Sequence, residues 1–146
     1  MIGGWMETSG RLGEVQLEAM VNEVGPKAQI GIVGVGDDDD PALLRPEADK
    51  LLHQLDTGEG VLVLTDIFGS SPSNLALSHR EPGHVEVVSV VKVPMLVKLA
   101  KTRVGLDLEG FIEKSTMAGR KYIAVASQLP DPCLHGGPRP CVMPVP

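Results

Sequence analysis

The chain has 146 residues, a formal net charge of −6 and 42% hydrophobic residues, which suits one domain with a single core. An acidic chain without a basic stripe is unlike proteins that bind nucleic acids or anionic membranes, so a basic or neutral protein surface is the expected partner. The sequence lacks the roughly twenty-residue apolar run of a membrane-spanning helix, and residues 1–7 do not resemble a secretion signal, so we expect a cytoplasmic protein without membrane insertion.

The first residues are the hardest to assign to an element. Residues 1–8 include Gly-Gly-Trp-Met-Glu instead of an apolar run, although the pattern that follows requires a central strand there. Later runs rich in β-branched residues are continuously apolar, which predicts strands buried on both faces of a mostly parallel sheet. These predicted strands cover residues 28–35, 60–65, 84–91 and 121–126.

Segments with helical periodicity separate the strands. The alternation predicts an α/β fold, a doubly wound, mostly parallel sheet of four to five strands with helices on both faces. A capping side chain followed by proline marks two helix starts, at Asp40-Pro41 and Ser71-Pro72, and Gly25-Pro26 marks a helix end. The predicted helices cover residues 12–24, 41–55, 72–79, 94–101 and 108–118.

The C-terminal segment differs from the rest of the chain in composition. Residues 127–146 contain six prolines and show almost no periodicity. We therefore predict one domain over residues 1–126 and a disordered or loosely attached Pro/Gly-rich tail over residues 127–146. Cys133 and Cys141 lie in this tail without the spacing of metal ligands, and neither a metal site nor a cofactor is predicted.

The loop after the 60–65 strand is the first candidate site, because ligands of open α/β sheets collect at the carboxyl ends of strands. Asp66 ends this strand, and Gly69-Ser70-Ser71 leads into a helix. Free backbone N–H groups and the positive dipole end at a helix start suit a phosphate or another anion. The alternative is structural: Ser71 caps the helix and Asp66 fixes the loop.

Two further loops carry polar groups at the same edge of the predicted sheet. The run of residues 37–40 is all aspartate, and a solvated acidic turn is favoured there over a cation site. Ser9-Gly10-Arg11 offers a hydroxyl and backbone donors, or else a plain serine N-cap. The histidines are predicted to be solvated, and none is placed like a catalytic base: His53, His79, His84 and His135.

Residues 56–74 read DTGEGVLVLTDIFGSSPSN and residues 93–96 read VPML. Through these stretches the chain, from about Ser9 to about Val125, resembles the IIA component of the mannose/fructose class of the bacterial phosphoenolpyruvate-dependent sugar phosphotransferase system. The resemblance implies a doubly wound parallel sheet with one antiparallel edge strand, and a homodimer formed through that C-terminal strand. It also implies a histidine at the end of the first strand that accepts a phosphoryl group from the phosphocarrier HPr and passes it to a IIB partner.

Site residues follow from the resemblance position by position. Asp66 would orient the histidine, and the Ser71 region would hold the phosphoryl oxygens, so Gly10, Gly69, Ser70 and Ser71 are assigned to phosphate binding. The family motif Thr-His-Gly is replaced here by Thr8-Ser9-Gly10, which puts the Ser9 hydroxyl in the place of the acceptor imidazole. Other departures are Ser70 where a second glycine is common, and Val90 and Lys92 where Gly and Asn are usual.

The exchange of histidine for Ser9 changes the expected chemistry. A phosphoserine ester is a far poorer phosphoryl donor than a phosphohistidine, and a serine hydroxyl needs a base to attack. Asp66 would serve as that base only if burial raised its pKa. With Ser9 and Asp66 as the candidate catalytic residues, we predict a degenerate or regulatory IIA component that keeps the fold and the dimer and binds HPr or another partner without being phosphorylated.

Two alternatives stay open at this point. In the first, Ser9 or Asp66 carries phosphate in a signalling domain, as in response-regulator receivers; a receiver, however, needs its acidic pair after the first strand, and here the acidic run follows the second. In the other, the Gly69-Ser70-Ser71 turn binds a small anion without turnover.

Overall fold

The structure is a computed structural model that describes residues 1–134. Within these residues, four parallel strands form one sheet with the spatial order β2-β1-β3-β4, which confirms the predicted α/β fold with a mostly parallel sheet. The predicted strands at 28–35, 60–65 and 84–91 are present with shorter ends. The strands are β1 (Gly3–Ser9), β2 (Ile30–Val35), β3 (Val61–Thr65) and β4 (Val85–Val88).

Helices cover both faces of the sheet. On one face α1, α4 and α5 pack around Met6 and Phe111, and on the other face α2 and α3 pack around Trp5 and Val63. All five predicted helices are confirmed, the first two with the predicted bounds. The helices are α1 (Leu12–Val24), α2 (Pro41–Leu55), α3 (Ser71–Ser78), α4 (Val93–Thr102) and α5 (Leu108–Lys121).

Strand β1 is central, although its sequence is the least strand-like of the four. It pairs with β2 on one side and β3 on the other. Close packing favours glycine at its start, because a Cβ at Gly3 would lie 2.7 Å from the backbone oxygen of Leu55. Trp5 and Met6 are fully enclosed, and so is the carboxylic acid Glu7. Tertiary packing therefore makes a strand where local propensity is weak.

Helix ends follow the predicted capping chemistry at two of three places. Asp40 caps α2 by accepting a hydrogen bond from the Ala42 N–H, and Gly25 ends α1 with a φ of 77°. The predicted cap at Ser71 is wrong, because Ser70 is the N-cap of α3 and Ser71 is its first residue.

The predicted strand at residues 121–126 is absent from the described part of the chain. Helix α5 continues to Lys121 and a 3₁₀ turn spans Ala126–Gln128, so both ends of the predicted strand are helical, and residues 122–125 between them pair with no strand within residues 1–134. Ile123 and Val125 consequently remain exposed. A second 3₁₀ turn spans Asp131–Cys133, and the rest of the predicted tail, residues 135–146, lies outside the described residues.

Membrane insertion was not expected from the sequence. No helix between residues 1 and 134 combines the length and the apolar character that crossing a bilayer requires.

Candidate functional site

The structure brings Ser9 and Asp66 together at the carboxyl edge of the sheet. Strands β1 and β3 are neighbours, with Glu7 opposite Thr65, so the residues that follow lie side by side. The Ser9 hydroxyl donates to Oδ2 of Asp66 over 2.6 Å, and the Ser9 backbone N–H donates to the same oxygen over 2.9 Å. The two candidate catalytic residues are thus directly hydrogen-bonded.

The second carboxylate oxygen of Asp66 is held within its own loop. Oδ1 accepts from the Ile67 N–H at 2.7 Å and from the Ser70 hydroxyl at 2.9 Å. Burial opposes ionisation of Asp66, but the hydrogen bonds from Ser9, Ile67 and Ser70 outweigh it and lower the pKa of Asp66 to about 2. Asp66 is therefore a weak base at neutral pH.

A chain of small residues links the Asp66 loop to α3. The Ser73 N–H donates to Ser70 Oγ at 3.3 Å, and the Ser73 hydroxyl donates to the Ser70 carbonyl at 2.9 Å. The Gly69 N–H donates to Ser73 Oγ at 2.9 Å, and Gly69 has a φ of 94°, where side chains are rarely tolerated. These bonds fix the loop and the start of the helix together.

Most of the predicted phosphate-binding donors are already engaged. The Gly69 N–H and the Ser70 hydroxyl bond within the loop, and the Gly10 N–H donates to the Val35 carbonyl at 2.8 Å. Ser71 is exposed, and its N–H and hydroxyl have no hydrogen-bond partner among residues 1–134. Of the four predicted donors, Ser71 is the one left open to an anion, and the Asp66 carboxylate lies in the same loop.

In the turn after β1, Ser9 does not cap helix α1. Thr8, not Ser9, contacts the start of α1, because Thr8 Oγ1 accepts from the Gly13 N–H at 2.7 Å. Any side chain at Gly34 of the neighbouring strand would collide with the Gly10 carbonyl oxygen. Ser9 is exposed, and its hydroxyl donates to Asp66 instead of to the start of the helix.

Apolar side chains surround this polar pair. Ile67 and Phe68 are exposed in the loop after β3, and Val90 is exposed in the loop after β4. The Val90 N–H donates to the Asp66 carbonyl at 3.0 Å, which joins the two loops. Val90 has a φ of 66°, an unfavourable conformation for a β-branched residue. Such a patch beside polar groups is typical of a protein-binding surface.

A buried acid that was not predicted from the sequence lies near this site. Glu7 is 0% exposed, and burial, with a smaller contribution from the charge of Asp49, raises its pKa to about 8. His79 was predicted to be solvated, and that is wrong: its side chain is 1% exposed and lies 3.6 Å from Glu7. The sequence contained one signal for this burial: Glu7 lies within a segment that the strand pattern requires to be the central strand.

The other titratable candidates form no hydrogen bond or ion pair with Ser9 or Asp66 within residues 1–134. His53 is exposed, and His84 Nε2 lies 2.5 Å from Asp56 Oδ2. His135 is outside the described residues. The side chains of residues 37–40 are exposed, and residues 1–134 contain no group of three or more His, Cys, Asp or Glu side chains arranged to hold a metal ion.

The sequence matches a known protein family. Residues 8–116 match the family model described as PTS system fructose IIA component, EIIA-man. The chain is also 35% identical over 75 residues to the putative phosphotransferase enzyme IIA component YadI of Escherichia coli (strain K12). That match covers 50% of this chain and 51% of YadI, so the chain spans about half the length of this curated relative.

Solved structures share the fold at low sequence identity. Phosphotransferase system component EIIA from Streptococcus agalactiae has a TM-score of 0.78 and 17% identity, over 87% of this chain and 98% of that one. The mannose/sorbose specific IIA subunit from Enterococcus faecalis has a TM-score of 0.74 and 23% identity, over 86% and 95%. A IIA protein associated with the fucose utilization operon of Streptococcus pneumoniae has a TM-score of 0.72 and 22% identity, over 86% and 93%.

Proposed function

Because the chain belongs to the family of PTS fructose IIA components, we propose that it is a cytoplasmic IIA-type component that binds phosphotransferase partners without carrying a phosphoryl group. Its partner is a phosphocarrier such as HPr or a IIB component. The observation that carries the proposal is the 2.6 Å hydrogen bond from the Ser9 hydroxyl to an ionised Asp66, at the position where the family resemblance expects a histidine.

Phosphoryl transfer to Ser9 requires that the hydroxyl lose its proton as the new P–O bond forms. The acceptor of that hydrogen bond is Asp66, whose pKa of about 2 makes it a poor general base. The product would be a phosphate ester, which passes its phosphoryl group on far less readily than a phosphohistidine does. Both arguments favour a protein that regulates, or that has lost phosphotransfer altogether, over one that passes a phosphoryl group to a partner.

The same hydrogen bonds count against the two alternatives. For an aspartyl phosphate, Asp66 would have to attack with an oxygen that already accepts two hydrogen bonds. For a simple anion-binding module, the loop retains few free donors, since Gly69 and Ser70 bond internally.

Partner binding is supported by the exposed apolar residues Ile67, Phe68 and Val90 around the Ser9–Asp66 pair. A partner that docks on them would cover the pair at the centre of the contact. The acidic net charge of −6 favours a basic or neutral partner surface.

A homodimer is part of the proposal and rests on a different surface. Within residues 1–134, β3 is the one strand that pairs with β4, and no strand covers the other edge of β4, where Val85 bonds to Glu81 and the Val87 N–H donates to Oε1 of Glu86. Exposed Ile123 and Val125 follow α5 and are suited to cover an open edge in a second copy. The dimer would bury both the edge and these side chains.

The proposal is tested by phosphoryl incorporation. The natural chain, Ser9→His and Ser9→Ala are each incubated with phosphoenolpyruvate, enzyme I and HPr, and then measured by intact mass before and after acid treatment. We expect no incorporation in the natural chain or in Ser9→Ala, and acid-labile incorporation in Ser9→His, which verifies that the relay proteins are active. Incorporation into the natural chain that Ser9→Ala abolishes would overturn the proposal.

A further inference from the structure

Three ionisable side chains meet between β1 and the helices α2 and α3. Oε1 of Glu7 lies 3.6 Å from Nε2 of His79, which caps the end of α3. Nδ1 of His79 lies 2.9 Å from Oδ1 of Asp49 on α2. Both oxygens of Glu7 and Nε2 of His79 are buried and have no hydrogen-bond partner in the described part of the chain. The Ser9–Asp66 site does not use this cluster.

Hydrogen-bond geometry assigns the protons. His79 donates from Nδ1 to Asp49, so in the neutral ring Nε2 is an acceptor, and it faces Glu7. A protonated Glu7 carboxyl group can donate toward that nitrogen. An ionised Glu7 would face a lone pair in an enclosed site where neither of its oxygens accepts a hydrogen bond from residues 1–134, which is strongly unfavourable. The closed arrangement therefore fits a protonated Glu7.

Two charged side chains of α2 lie beside the pair. From α2, Asp49 faces His79, and Arg45 lies 4.0 Å from Asp49. The charge of Asp49 adds to burial in raising the pKa of Glu7 to about 8. Burial lowers the pKa of His79, with Asp49 and Arg45 acting in opposite senses. Both members of the Glu7–His79 pair are therefore uncharged at neutral pH, and Glu7 loses its proton slightly above neutral pH.

The pair and the candidate site are connected by two shared elements. Glu7 and Ser9 lie two residues apart on β1, and their side chains point to the same face of the sheet. Helix α3 is capped at its start by Ser70, which hydrogen-bonds to Asp66, and at its end by His79, which contacts Glu7. A movement of α3 relative to β1 would thus change the contacts at both ends of the helix.

We propose that the Glu7–His79 pair is a pH-sensitive contact between β1 and α3. While Glu7 is protonated, the two elements stay packed. When Glu7 releases its proton to water, the carboxylate draws solvent into the interface, and α3 shifts away from β1, which weakens the contact of Ser70 with Asp66. This inference does not depend on whether the chain binds HPr or carries phosphate.

Trp5 provides the readout, because it is the single tryptophan of the chain and its ring centroid lies 5.2 Å from that of His79. The full chain is titrated from mildly acidic to alkaline pH while Trp5 emission and the amide NMR shifts of residues 70–79 are recorded. We expect one transition near pH 8 in both signals. Absence of the transition in the natural chain, or a Trp5 transition during which the Ser70 amide does not move, would overturn the inference.

Two variants identify the titrating group. Glu7→Gln should abolish the transition, and its persistence there would refute the assignment. Should Glu7→Gln fail to fold, Asp49→Asn serves instead: an amide oxygen still accepts from His79, but the charge that disfavours ionised Glu7 is gone, so the midpoint should move to lower pH. Asp38→Asn, in the exposed turn after β2, is the matched control and should leave the midpoint unchanged. An Asp49→Asn midpoint equal to that of the control would contradict the inference.

Discussion

The hydroxyl of Ser9 donates a 2.6 Å hydrogen bond to Oδ2 of Asp66, which ties the carboxyl end of β1 to that of β3. The backbone N–H of Ser9 donates to the same oxygen. A carboxylate held by several donors is stabilised as an anion. The contact therefore stabilises the fold. Because it also lowers the proton affinity of Asp66, Ser9 lacks the base that a nucleophilic hydroxyl needs.

Replacement of Asp66 by asparagine should lower the free energy of unfolding at neutral pH by about 2 kcal/mol, because an amide cannot accept all the bonds now made by the carboxylate. Since the pKa of Asp66 is lowered from 3.8 to about 2, its contribution is complete above pH 3.8 and is lost as pH falls through 2. Urea denaturation of both chains at several pH values should show the difference narrowing below pH 3.8. Asp40→Asn, at a helix cap where asparagine is equally suitable, should be nearly neutral.

The stability of the Glu7→Gln variant relative to that of the natural chain should increase as pH rises. The pKa of Glu7 is raised from 4.5 to about 8, so between those values the folded chain holds a proton that the unfolded chain has released, and stability falls with pH. The lowered pKa of His79 opposes this trend below 6.5, so the decline due to Glu7 should be clearest between pH 6.5 and pH 8, with a slope of up to about 1.4 kcal/mol per pH unit. The raised pKa of His84 adds a decline above pH 6.5 that is the same in the natural chain and in the variant. Denaturation of Glu7→Gln should show a much smaller slope.

The control for that experiment is Glu47→Gln, at an exposed position on α2. It should keep the slope of the natural chain. A natural chain whose stability does not change between pH 6.5 and pH 8 would show that Glu7 is already ionised in the folded state.

Val90→Gly should raise the free energy of unfolding by roughly 0.5–1 kcal/mol. Valine at a φ of 66° is strained by about 1–2 kcal/mol, and the greater entropy of glycine in the unfolded chain offsets part of the relief. Thermal denaturation measures the difference. Val104→Gly is the matched control, since Val104 is an exposed valine outside the positive-φ residues, and it should be neutral or destabilising. Equal effects at the two positions would mean that Val90 is not strained.

Phe68→Ala should weaken binding of HPr about tenfold, because an exposed aromatic residue at the centre of a docking surface contributes strongly to affinity. Phe68 is 56% exposed, so its removal should leave the melting temperature nearly unchanged. Titration calorimetry measures the affinity. Val104→Ala removes an 86% exposed apolar side chain from the loop after α4, which lies beside Met1 and Glu59 at the opposite edge of the sheet, and should bind like the natural chain. Equal affinities of the two variants would place the docking surface elsewhere.

Local signals were sufficient to predict the helices. The bounds of α1 and α2 follow from Gly25 and from Asp40-Pro41, since backbone geometry and capping act within a few residues. Strand β1 was harder, because its position depends on partners on both sides and not on its own composition. The failed strand at residues 121–126 illustrates the converse: helix α5 extends through Lys121, and the β-branched residues that follow it pair with no strand in the described chain.

The residues of the site could be predicted from the sequence, but the hydrogen bonds between them could not. Strand order placed Ser9 beside Asp66, as the loops at one sheet edge implied. The choice of Ser70 over Ser71 as the cap depends on the tertiary bond from Ser70 to Asp66, which no local pattern contains. The direction of the Asp66 pKa shift likewise depends on the sum of burial and hydrogen bonds in the folded chain.

The ionisation of Asp66 is the property on which the loss of phosphotransfer rests, and it is directly measurable. A pH titration of the Asp66 side-chain carboxyl carbon by NMR, with Asp66→Asn to assign the signal, should give a pKa of about 2 and no further change up to alkaline pH. A carboxylate so acidic does not take the Ser9 proton. A titration midpoint near neutral pH would contradict this result, because Asp66 would then be a competent base for Ser9.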